Sequence, residues 1–62
     1  MERLFVDVYD IDNKCLNKNF NVHTIVFDTI KIDNRILFCI PDYNGFFQLV
    51  DCSHCKLVTD RL

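Results

Sequence analysis

The stretch DCSHC, residues 51–55, holds the densest chemistry in the chain: Cys52 and Cys55 flank Ser53 and His54. The spacing C-x2-C is that of a zinc knuckle, in which a tight turn presents two thiolates to one metal. A structural zinc needs four ligands in a tetrahedron, with Zn–S near ~2.3 Å. The remaining donors are Cys15, Cys39, His23 and His54. The set expected from the sequence is Cys15, Cys39, Cys52 and Cys55, with His23 or His54 able to replace Cys15 or Cys39. Four cysteines among 62 residues exceed ordinary usage, and in a reducing compartment such an excess favours metal over disulfides. A zinc ion would also support a core that is marginal at this length.

Two other readings stay open for the same residues. The run from Cys52 to Cys55 resembles the active-site motif of thiol–disulfide oxidoreductases, where a helix N-terminus stabilises the first thiolate. That family places its motif between a strand and a long helix, whereas here KLVTDRL follows, and Leu57 and Val58 favour strand. The third reading is four free thiols, with Cys39 a small buried hydrophobe inside ILFCI. Geometry bears on the zinc set. If residues 42–45 form a loop, Cys39 lies opposite Gln48, four residues before Cys52. That is roughly 13 Å along a flat ladder, so the sheet must coil or the chain must reverse after Asp51 to close the site.

Other catalytic constellations are poor. The single serine, Ser53, precedes His54 directly, so the two side chains do not face each other productively. One glycine cannot build a phosphate-cradling loop. Asp7, Asp10 and Asp12 crowd the first strand; such a row reads as a solvated edge that discourages strand pairing between molecules. It fails the calcium-loop spacing because Lys14 takes the third ligand position. The expectation is a protein without catalysis.

The elements that must position these residues read as strands. LFVDVYDI (4–11) alternates, with Leu4, Val6 and Val8 on one face and Phe5, Asp7 and Tyr9 on the other. DNKCLNKN (12–19) breaks the pattern as a loop or loose hairpin end. FNVHTIVFD (20–28) reads as a second strand. TIKI-DN-RILFCI (29–40) is the clearest hairpin, turning at Asp33-Asn34. IPDYNGFF (40–47) reverses the chain again, Asn44-Gly45 supplying left-handed positions, and FFQLVD (46–51) returns. KLVTD (56–60) adds a short edge strand. No segment shows helical spacing, and alanine is absent. The predicted fold is all-β over a single domain, 1–62: a small antiparallel sheet or SH3-like barrel of five to six short strands, with a zinc knuckle near the C-terminus.

Tyr43, Phe46 and Phe47 bracket the second turn. Adjacent Phe residues on a strand point to opposite faces, so one of them needs a cover beyond the core. A closed barrel, a second copy or a partner's groove would each provide it, and as an exposed group these three aromatics are the expected partner-binding residues.

The net charge of −2, from nine acids and seven bases, lacks a nucleic-acid footprint. The opening MERLFVDV has no signal-peptide character, and no apolar run is long enough for a membrane span, which points to the cytoplasm of a host cell. Abundant Asp, Asn, Ile, Lys and Phe is the usage of AT-rich genomes, low-GC bacteria and their phages among them. In size, composition and lack of a catalytic constellation the chain resembles phage-encoded counter-defence proteins, such as the anti-CRISPR inhibitors of Cas9. That resemblance implies steric occlusion of a larger nucleic-acid-handling partner, possible through Asp and Asn facing its Arg and Lys. The alternative expectation is an accessory SH3-like binding module that self-associates as a homodimer.

Overall fold

The first strand, β1 (Phe5–Val8), follows its alternation closely: Val6 and Val8 are buried, while Phe5 and Asp7 face away. These facts come from a computed structural model that describes residues 3–58. Further along lie β2 (Thr24–Ile25), β3 (Asp28–Ile32), β4 (Arg35–Pro41), β5 (Phe47–Asp51), a single 3-10 turn (Cys52–His54) and β6 (Cys55–Leu57). Among the described residues these form two antiparallel three-stranded sheets, ordered β2-β1-β6 and β3-β4-β5. The fold is therefore a small all-β one, and none of its helical segments is long and apolar enough to cross a membrane.

The hairpin β3-β4 sits where the sequence places it, turning at Asp33, whose φ is 54°. Asp is one of the few side chains that tolerate this left-handed backbone, because its short polar group bonds locally. The next loop is one residue longer than expected. Pro41 pairs with Phe47, which leaves Asp42–Phe46 as the connection and sets Cys39 opposite Leu49, not Gln48. Asp42 accounts for the extra residue. Its carboxylate accepts hydrogen bonds from the Asn44 and Phe46 amides and from the Gln48 side chain, at 2.9 Å each. Only Gly45 in this loop takes a positive φ, at 90°; Asn44 does not.

The expected strand over 20–28 is the main correction. Residues 20–23 turn, and only Thr24–Ile25 pair with β1. His23 adopts a φ of 53°, and its amide donates to the Asp7 carboxylate at 2.6 Å. A clamp from 16 residues away overrides the β-rich local pattern, and no short-range signal announces it. The chain then changes sheets between neighbours. Val26 N donates to Leu4 O, and Phe27 N donates to Cys39 O, both at 2.8 Å. Since Asp28 is the register partner of Cys39, Phe27 and Asp28 both oppose that one residue. Such a bulge re-aims a side chain. Here Val26 packs against the core while the Phe27 ring meets Phe47 with centroids 4.9 Å apart.

Where the sheets meet, Val6, Val8 and Ile40 are the fully buried apolar side chains among the described residues. Phe20, Val26, Phe38, Val50 and Cys55 pack around them. Each fully buried aliphatic contributes roughly 2 kcal/mol of transfer free energy, so three make a thin core for a chain of this length. The terminal edge strand is shorter than expected: β6 ends at Leu57 and pairs with β1. Thr59 and Asp60 lie outside the described residues.

Candidate functional site

The 3-10 turn forms because Asp51 caps it. The Asp51 carboxylate accepts from the Ser53 amide at 3.0 Å and from Arg35 Nε at 3.0 Å. Hydrogen bonds from the Ser53 backbone and side chain, then from Arg35, hold the Asp51 carboxyl below its ordinary value of 3.8. The turn separates Cys52 from Cys55 as a knuckle would, yet it runs straight into β6, and no helix follows among the described residues. The helix dipole that lowers a redox thiol's pKa is missing. Instead burial pushes the Cys55 thiol up to about 11, with Cys52 and Asp51 adding to the shift. A thiol in that state stays protonated and unreactive at neutral pH.

The structure does not gather the four cysteines. Among the described residues, no three His, Cys, Asp or Glu side chains come together in a way that could hold a metal ion. Strand parity explains the separation. Ile40 and Phe38 face the core, so Cys39 between them faces the opposite side of its sheet. Cys55 packs against the core from the other sheet. Cys15 lies in the exposed turn after β1, where its carbonyl accepts from the Asp10 amide at 2.8 Å. His54 is turned to Asn13, 2.9 Å away, and His23 to Asp7, 3.9 Å away. All four cysteines are free thiols. The shorter sequence distance from the Cys39 partner to Cys52 does not help, because a sheet lies between Cys39 and Cys55.

Other polar side chains of the described residues are engaged elsewhere. Ser53 engages Asp51, not His54. Asp7 and Asp12 accept from backbone amides, the distant one of His23 and the local one of Lys14. A shallow cleft of about 280 Å³ runs beside Tyr9, Phe20, Val50 and His54, and a second of about 460 Å³ beside Leu4, Ile25 and Phe27. Both are lined chiefly by apolar groups, with no nucleophile beside a base.

What the structure does display is aromatic surface. Tyr43 is 71% exposed, Phe46 69% and Phe47 54%. Tyr43 and Phe46 project from the turn built around Asp42, whose carboxyl is held below its ordinary value chiefly by the Gln48 side chain. Tyr43 N also donates to Asn19 O, fastening this turn to the loop before β2. Two aromatics thus stand in solvent on a backbone fixed at both ends.

A second surface escapes the sequence reading. On β3-β4-β5, the face turned away from the core carries Ile30, Leu37, Cys39, Phe47 and Leu49, joined by Phe27 through the bulge. The signal was present in ILFCI (36–40): an unbroken apolar run belongs to a strand with two apolar faces. No protein-family model, curated protein or solved structure matches the chain.

Proposed function

We propose that this chain is a non-catalytic binding protein that docks on a larger protein through Tyr43 and Phe46 on the turn at residues 42–46. The observation that carries this reading is the exposure of Tyr43 and Phe46 on a turn held by the Asp42 carboxylate. Exposed aromatics gain nothing for the free chain. On a preordered loop they bind without an ordering penalty, which is how rigid aromatic anchors make hot spots. The net charge of −2 suits a partner pocket rimmed by Lys or Arg. This proposal does not rely on a structural zinc, since Cys39 and Cys55 lie on different sides of the β3-β4-β5 sheet.

The test is capture from bacterial lysate by immobilised chain, with the retained protein identified and then titrated in purified form. Tyr43→Ala with Phe46→Ala should weaken that binding by about 30-fold or more, the effect of losing one hot spot of roughly 2 kcal/mol. Equal affinity of the double variant would refute the docking site. The narrower reading, steric inhibition of a defence nuclease such as Cas9, rests on size and composition. A cleavage assay with and without the chain tests it, and undiminished cleavage at saturating chain removes it.

A further inference from the structure

We propose that the outer face of β3-β4-β5 is where a second copy of this chain docks, giving a face-to-face homodimer. This surface is distinct from Tyr43 and Phe46, and the inference does not depend on their partner. Phe27, Phe47 and Leu49 are 67%, 54% and 55% exposed, and Ile32 at the hairpin tip is 48% exposed. Half-buried Ile30, Leu37 and Cys39 connect them across the three strands. The Phe27 and Phe47 rings touch at 4.9 Å, so the patch is continuous across β4.

The area decides what can sit there. Taking roughly 200 Å² per aromatic side chain, the two rings alone leave on the order of 240 Å² uncovered, and the whole face roughly 500 Å². That is near the top of what a monomer ordinarily exposes in one patch. Two copies would bury about 1,000 Å² in total, the lower limit of a specific interface. A dimer of this size is weak, with Kd on the order of micromolar.

Charge and stability favour a second copy over another occupant. Arg35 and Asp51 at the margin already neutralise each other at 3.0 Å, which leaves Asp28 as the other charge on this face of the sheet. No single-signed field is there for a nucleic acid or an oppositely charged protein to recognise. Meanwhile the core is thin, the cysteines are unbridged and no metal-holding cluster forms among the described residues. Association is one of the usual supports for so small a fold, and a second copy is present wherever the chain is. Packed about 10 Å apart, two such faces would make the second hydrophobic layer that each chain lacks.

Sedimentation velocity on the full chain, from ~1 to ~100 micromolar, tests this. A monomer–dimer equilibrium in that range is expected, with a melting temperature that rises with concentration. Leu49→Asp puts a carboxylate into the apolar face opposite Cys39 and should raise Kd at least tenfold. Ile11→Asp, in an 89% exposed loop position, should leave it unchanged. A wild-type chain that stays monomeric throughout, or a folded Leu49→Asp variant that dimerises as before, overturns the proposal. If Leu49→Asp fails to fold, the wild-type melt decides: a midpoint independent of concentration is equally fatal. In either case the Tyr43 and Phe46 site stands or falls by its own binding test.

Discussion

Ile40 and Cys39 are neighbours on one strand with opposite fates, and substituting each in turn measures how thin the core is. Ile40 has no exposed surface and is one of three fully buried apolar side chains among the described residues. Ile40→Val removes one methylene, worth about 0.8 kcal/mol of transfer, and with the residual void costs 0.5 to about 1.5 kcal/mol. Ile40→Ala should cost about 2 to 5 kcal/mol. A chain of 62 residues has a total of roughly 3 to 9 kcal/mol to lose, and a core of three belongs at the low end. Thermal melts followed by far-ultraviolet circular dichroism should therefore show Ile40→Val about 4–8 °C below wild type. Ile40→Ala should be largely unfolded at room temperature. Cys39→Ser, on the opposite face, should move the midpoint by less than Ile40→Val at low protein concentration, where the outer face is uncovered. An Ile40→Ala variant that melts within about 2 °C of wild type, or a Cys39→Ser variant more damaging than Ile40→Val, would refute the assignment of faces and the argument built on it.

Three further outcomes follow from local geometry. Gly45→Ala should destabilise by about 1–2 kcal/mol from backbone strain alone, because φ is 90° while a Cβ there would meet nothing within 4 Å; an unchanged urea midpoint would show that the turn has another shape. Asp42 and Asp51 both titrate below their ordinary 3.8 in the folded chain, so their contribution is present above that value and lost as pH falls through the lowered ones. Stability should thus decline below about pH 4, and Asp42→Asn should flatten the acid limb of a denaturation series; an equally steep limb would exclude Asp42 as a cause. Elemental analysis of untagged protein should find no stoichiometric zinc, with melting unaffected by chelator, and alkylation should reach exposed Cys15 before Cys55. One zinc per chain would require at least three of Cys15, His23, Cys39, Cys52, His54 and Cys55 to gather, which they do not among the described residues.

Strands marked by alternation or by a local turn were legible from the sequence, and one cut short by a distant side chain was not. β1 and the β3-β4 hairpin follow from alternation and from Asp33-Asn34, since register across a two-residue turn is set locally. Residues 20–23 are rich in the same residue types, yet Asp7 captures the His23 amide and ends the strand there. The loop at 42–46 fails by one residue for a similar reason: an Asp carboxylate can satisfy amides at two places, and the longer turn uses both. The zinc set shows the limit most clearly. C-x2-C gives the spacing along the chain but not the side of a sheet, and the side is what separates Cys39 from Cys55.

That same parity connects the thin core to the chain's exposed surface. In a sheet of alternating pattern, apolar residues on the inner face are matched by polar ones outside. β4 breaks this rule with Leu37 and Cys39 outward and Phe38 and Ile40 inward, and β5 repeats it with Leu49 outward and Val50 inward. The apolar residues of this sheet are therefore divided between two faces, only one of which the described residues cover. A sequence with this many Ile, Leu and Phe and so little buried is not short of hydrophobic residues. It is short of a second layer, and the physical cost of leaving Phe27, Phe47 and Leu49 in water persists until something of matching shape removes them from it.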